Sequence, residues 1–150
     1  MFKLTTAKGF TLVELLLVIT LTVAIMAMVA PNLSSGNQSS MLKGAARDLA
    51  SGLRFARGQA LKTQQDTALS IDLEQNSYQV TGQEKTYQLP HDIDITLAIA
   101  QSEAESSGTG SIRYFPDGSS SGGRITLELG DLKQTVDVNW LTGQIELNAE

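Results

Sequence analysis

From Phe10 to Ala30 the chain reads FTLVELLLVITLTVAIMAMVA, 21 residues with a single charge, Glu14. As an α-helix rising ~1.5 Å per residue this run extends roughly 31 Å, about the hydrocarbon thickness of a bilayer. Lys3 and Lys8 precede it without an acid, so the positive-inside bias keeps the extreme N-terminus in the cytoplasm and exports the rest. A cleaved secretory signal is a poorer reading. Cutting after Ala30 would place Met28 at −3, where a small residue is needed. A buried core helix fits poorly as well, because the 16 residues from Leu15 to Ala30 carry no charge and the remaining domain is small. Glu14 would cost ~2.5–3.5 kcal/mol at the centre of a membrane. It stands only four residues past Phe10, near the cytoplasmic end, where the cost is lower. It either snorkels to water or meets a cation on a neighbouring helix. An α-amino group created at Phe10, with a pKa of about 8, could not reach its own Glu14 along a rigid helix. It could reach a neighbour's.

The run Lys8-Gly9-Phe10-Thr11-Leu12-Val13-Glu14 resembles the class III signal of type IV pilins and type II secretion pseudopilins. That signal has a short basic leader, Gly before the scissile bond, Phe after it, and then a Glu within an apolar stretch. The resemblance implies a leader over residues 1–9, cut by a prepilin peptidase between Gly9 and Phe10. It also implies N-methylation of Phe10, a transmembrane and assembly helix over 10–30, and a subunit-docking role for Glu14. Pro31 falls where the family often carries a helix-kinking proline. Removing Lys3 and Lys8 would take the net charge from −5 to −7.

Residues 31–40 are rich in Ser, Asn and Gly, which compete with or weaken helical hydrogen bonding, and they read as a flexible, kinked segment. Ser40 and Lys43 have the spacing of a serine–lysine nucleophile pair, but the partner motifs are missing and the match is chance. Met41 to Lys62 is an amphipathic helix. Leu42, Ala46, Leu49, Leu53, Ala56 and Ala60 form its apolar stripe, and Lys43, Arg47, Arg54 and Arg57 form a basic face. That face is a candidate assembly surface for acidic neighbours. The string Leu53-Arg54-Phe55-Ala56-Arg57-Gly58-Gln59-Ala60 resembles the L-R-x-A-R-x-x-A helix of the GspH/FimT group.

Beyond the helix, apolar residues recur with period two. Strands are predicted over Leu69–Leu73, Tyr78–Val80, Tyr87–Leu89, Ile93–Ile99, Ile112–Tyr114, Ile125–Leu129, Val136–Trp140 and Ile145–Leu147. The fold class is α+β, type IV pilin-like, with the long helix packed on antiparallel β-sheets in a sandwich-like domain over 41–150. Two stretches break the rhythm: a long loop over 100–111, and a glycine-rich segment over 115–124 that reads as a wide hairpin. The latter lacks the lysine of a phosphate-binding loop. Asp92, Asp94 and Asp117 do not form a calcium-loop pattern, and His91 reads as a turn residue.

There is no cysteine, and His91 is the one histidine. Thiol chemistry is thereby excluded, and a His-dependent catalytic site disfavoured. Neither a cofactor nor a metal is expected. The resemblance implies a minor pseudopilin of the type II secretion system, not an enzyme. Such a subunit is anchored in the bacterial inner membrane and assembles near the tip of the periplasmic pseudopilus. Its partners would be the prepilin peptidase, the major pseudopilin GspG, minor GspI, GspJ and GspK, the inner-membrane assembly platform and the lipid bilayer. The alternative is a FimT- or FimU-like minor pilin serving assembly, adhesion or DNA uptake. With a single arginine, Arg124, in the region where DNA-binding members cluster them, nucleic acid is a poor partner.

Overall fold

The computed structural model describes residues 10–99, 104–106 and 108–149, and at 28–36 and 104–106 the backbone alone. The chain divides into two compact units after Asn37. Helical backbone (α1) runs from Leu12 to Thr63. Thr11 caps it: its hydroxyl accepts the N–H of Glu14 at 3.2 Å, one of the donors that a helix start leaves without an intrahelical partner. At the other end Gln64 turns left-handed, with φ 55°, and its side-chain amide donates to the Leu61 carbonyl.

The backbone of residues 31–40 is helical, which corrects the expectation of a weak or broken helix there. Starting a helix is its expensive step, and continuing one is cheap. Pro31 costs about 3 kcal/mol in a helix interior, Gly36 about 1, and Ser and Asn a few tenths each. The helical backbone nevertheless continues through these residues into the segment that packs on the sheets.

The second unit is built on the part of α1 from Gln38 onward. Every residue of the expected apolar stripe is buried, from Leu42 through Leu49 and Leu53 to Ala60. Alanine dominates the stripe, so the helix backbone can come close to the sheet. The approach is close at Gly52, where an added Cβ would lie 2.9 Å from both Leu69 and the Tyr78 ring. The Tyr78 hydroxyl in turn donates to the Asp48 carbonyl at 3.2 Å.

Two antiparallel sheets complete the core. The first contains β1 (Thr67–Asp72), β2 (Ser77–Val80), β3 (Thr86–Gln88), β5 (Ala104–Ser106) and β6 (Thr109–Tyr114), in the order β3-β2-β1-β6-β5. The second contains β4 (Asp94–Ala98), β7 (Gly123–Leu129), β8 (Leu132–Val138) and β9 (Ile145–Ala149), in the order β4-β7-β8-β9. Leu69, Ile71 and Ile112 from the first sheet join Ile125, Leu127 and Val136 from the second in one core with the helix stripe. Alternation places these residues inward because successive side chains on a strand point to opposite faces.

Three local readings change. Ala104–Ser106, expected to be loop, pairs with β6. Residues 115–124 do not close a hairpin between paired strands, since β6 and β7 lie in different sheets. The chain folds back through the Tyr114–Ser120 bridge and then crosses over. Trp140, expected at the end of a strand, sits in a turn, because the Asn139 side chain accepts the N–H groups of Leu141 and Thr142 and bends the backbone out of the ladder.

The helix glycines separate two effects. Gly58 has open space around it, so Gly58→Ala should stabilise the domain by up to about 1 kcal/mol through helix propensity. At Gly52 the same change forces a methyl into Leu69 and Tyr78 and should destabilise by about 1–3 kcal/mol of overpacking. Thermal unfolding of the two variants should move the midpoint in opposite directions.

Candidate assembly surface

The N-terminal helix has the wrong surface for water. Among the 12 large apolar side chains from Phe10 to Met26, the least exposed is Val18 at 52%. Its polar atoms are arranged differently: the hydroxyls of Thr20 and Thr22 donate to the carbonyls of Leu16 and Val18, four residues back, at 2.6 and 2.7 Å. Each threonine thus satisfies its donor without water. Glu14 is exposed. Thr11-Leu12-Val13-Glu14 has capping-box spacing, and among the described residues only the half from Thr11 to the Glu14 N–H is made. Gly9 lies outside the described residues, and Pro31 is described by its backbone alone. Among the described residues no helix is long and apolar enough to cross a membrane; the side chains of the apolar run are described only as far as Ala27.

The four basic candidates of the amphipathic helix do not behave alike. Lys43, Arg47 and Arg54 are exposed, at spacings of four and seven residues that keep them on one stripe. Arg57 is turned inward. Its Nη2 donates to the Thr142 carbonyl at 2.8 Å, and its Nε is buried beside the loops at Gly118 and Gly143. It fastens the helix to the turn between β8 and β9, so it is a structural residue. Tyr114 is buried next to this latch, and its hydroxyl pKa is raised by burial against the opposing charges of Arg57 and Arg54.

Thr142-Gly143 marks this turn in the sequence, but the exposure of Trp140 and Leu141 on it does not follow from the pattern. The Asn139 carbonyl accepts the Gly143 N–H, and the Asn139 N–H donates to the Gln144 carbonyl. The Trp140 carbonyl accepts the Ser120 N–H at 2.8 Å. The result is a fixed loop that presents Trp140 and Leu141 to solvent, 66% and 64% exposed. Asn139 followed by Thr142-Gly143 was the available signal; the unbroken alternation Val136-Val138-Trp140 hid it.

The remaining candidates have structural roles. Asp117 accepts the N–H and hydroxyl of Ser119 at 2.9 and 2.6 Å, which holds its carboxyl below the usual range. His91 is exposed in a turn. A groove of about 410 Å³ is lined by Asp48, Phe55, Tyr78 and Tyr87. The two tyrosine rings stack at 5.0 Å, and burial pushes the Tyr78 phenol up to about 12.

A helix whose C-terminal part packs on two antiparallel sheets, preceded by an exposed apolar segment, defines a type IV pilin-like subunit. Solved structures agree on the fold. The minor pseudopilin EpsH from the type 2 secretion system of Vibrio cholerae matches with TM-score 0.57 at 12% identity, over 72% of this chain and 96% of that one. The type IV minor pilin FimU of Pseudomonas aeruginosa also matches at 0.57 and 12%, over 75% and 94%. Sequence separates what fold does not. The model of the family described as "Type II transport protein GspH" matches residues 45–143. The type II secretion system protein H of Xanthomonas campestris pv. campestris is 33% identical over 138 residues, 92% of this chain and 81% of that protein. The chain belongs to the GspH family of type II secretion pseudopilins, which is structural rather than catalytic and whose members interact with other pseudopilins in the pseudopilus.

The Arg57 latch is sensitive to its glycine. Gly143 has φ 63°, and an added Cβ would overlap the Gly118 carbonyl and lie 3.1 Å from the Arg57 Nε. Gly143→Ala should therefore cost at least about 1–2 kcal/mol from the left-handed backbone alone and more from the overlap. Chemical denaturation should show the loss in the unfolding midpoint.

Proposed function

We propose that the chain is made as a precursor, inserted in the inner membrane by residues 10–30, with the domain over 41–150 in the periplasm. A prepilin peptidase removes residues 1–9 after Gly9 and methylates the new amine of Phe10. The mature subunit then leaves the bilayer and joins the pseudopilus near its tip, beside GspG, GspI, GspJ and GspK, on an inner-membrane assembly platform. The single observation that carries this reading is the uncovered apolar surface from Phe10 to Met26. Each of its 12 large side chains gains about 1.5–3 kcal/mol on leaving water. One Glu14, at ~2.5–3.5 kcal/mol even at mid-membrane, cannot offset that.

Glu14 gives the helix an address. In lipid it sits near the cytoplasmic rim. In the fibre it meets the Phe10 amine of an adjacent subunit, because its own amine is out of reach on a stiff rod. The pair fixes the axial stagger of neighbouring helices, where apolar contact alone would let them slide. Thr20 and Thr22, with their hydroxyls satisfied internally, let the same helix lie in lipid or among other helices. Pro31, which has no N–H for the helix ladder, is the place for a kink that lets the domain follow the fibre. The secretion branch, rather than a FimU-like pilus role, is favoured by the 33% identical secretion relative.

Mass spectrometry of the purified mature protein should find an N-terminal N-methylphenylalanine at Phe10. A first residue at Met1, or beyond Ala27, overturns the reading. Glu14→Ala should be cleaved normally yet enter the pseudopilus at least about tenfold less well, a loss of ~1.4 kcal/mol or more. Unchanged incorporation, measured by shearing and immunoblot, would show the docking pair to be dispensable.

A further inference from the structure

Outside the N-terminal helix, Trp140 and Leu141 are the most exposed large apolar side chains among the described residues. They are not on a loose loop. Leu141 N–H and Thr142 N–H are held by Asn139 at 3.0 and 3.1 Å, Arg57 holds the Thr142 carbonyl at 2.8 Å, and Ser120 holds the Trp140 carbonyl. A solvated indole and isobutyl group on so constrained a turn lose little conformational freedom when covered, which is the condition for efficient docking.

The basic stripe of the helix runs toward this turn. Arg47, Arg54 and Leu61 follow one another at seven-residue spacing, close to two helical turns. Leu61 is exposed and lies against the Gly118 loop, which the Arg57 latch also touches. Arginine and tryptophan are both side chains enriched in interface hot spots. The charge here is also the reverse of the chain's net −5, so this strip attracts an acidic surface that the molecule as a whole would repel.

We propose that Trp140 and Leu141, with Arg47 and Arg54, are the docking surface for a different, acidic pseudopilin of the same fibre. Its carboxylates meet the arginines, and an apolar pocket on it takes the indole. The proposal rests on the pseudopilin reading and adds to it the face and the partner's chemistry. Another copy of this chain is a poorer occupant, since a symmetric pairing through this face would set Arg47 and Arg54 against the same arginines.

Trp140 is the one tryptophan, so the full chain labelled with 5-fluorotryptophan in detergent micelles has a single ¹⁹F resonance. The other pseudopilins of the same secretion system, purified and unlabelled, are added one at a time at about 50 mM and about 500 mM salt, which spans strong to weak screening. One acidic partner should shift the resonance, shield it from a soluble paramagnetic quencher, and bind at least about tenfold more weakly at the higher salt. Leu141→Ala should weaken binding about 5–30-fold, the range of an interface anchor. Arg54→Glu should weaken it and flatten the salt dependence. Phe55→Ala, on the other flank of the helix, should bind as the parent does. No shift with any pseudopilin, a shift indifferent to Arg54 and salt, or a shift produced by concentrating the chain alone would each overturn the proposal. Leader cleavage and membrane insertion, assayed on the same variants, must stay normal. Their failure in the parent chain would count against the underlying reading instead.

Discussion

An apolar helix surface without a cover in its own segment is the constraint from which the rest follows. The helix from Leu12 to Ala27 satisfies its backbone internally and exposes leucine, isoleucine and valine on every side. A chain of this kind needs an apolar environment, and two are open to it: lipid, or the equivalent helices of other subunits. Because hydrophobic attraction is non-directional, such a helix supplies strength but little register. Register must come from polar features, and the run contains only one charge. Glu14 is that charge, and the proposed docking role rests on it.

The folded unit solves a different problem with the same element. From Leu42 onward, alanine alternates with leucine on the buried side of α1, and Gly52 removes even the β-carbon where Tyr78 and Leu69 press closest. Small residues make the contact smooth and close, and the leucines fill the space between the sheets. Dispersion and burial are then maximised without long side chains that would have to be ordered. Lys43, Arg47 and Arg54 are left exposed along the helix, and Arg57 is drawn in, to fasten the turn at Thr142.

Much of this was legible in the sequence, for identifiable reasons. A period near 3.6 exposes a helix face directly, so the stripe from Leu42 to Ala60 was readable residue by residue. Alternation exposes strand faces equally well, and all eight predicted strands overlap observed ones, with bounds within two residues except at the starts of β6 and β8, which begin three and four residues earlier. Alternation says nothing about which strand lies beside which. Thus the division into a five-stranded and a four-stranded sheet, and the crossover at 115–124, came only from the structure. Ala104–Ser106 has no alternation to read. Trp140 had the right alternation for the wrong reason: the Asn139 side chain overrides it by capturing two backbone donors. Arg57 shared the spacing of Arg54, yet three residues of helix rotate it by about 60°, enough to bring it over the β8–β9 turn.

These misreadings have different physical origins. Trp140 is governed by a local side-chain turn at Asn139 that competes with strand alternation, whereas Arg57 is governed by a contact 85 residues away at Thr142, which local pattern does not encode. The same contacts determine the functional character of the surface. A tryptophan at the end of a strand would have been an ordinary core residue. On a turn pinned by Arg57, Asn139 and Ser120 it is an outward-facing anchor held in place before any partner arrives. The N-terminal apolar surface is uniform on every side and carries few individual features. A rigid, individual feature such as this turn is where one subunit can be told from another.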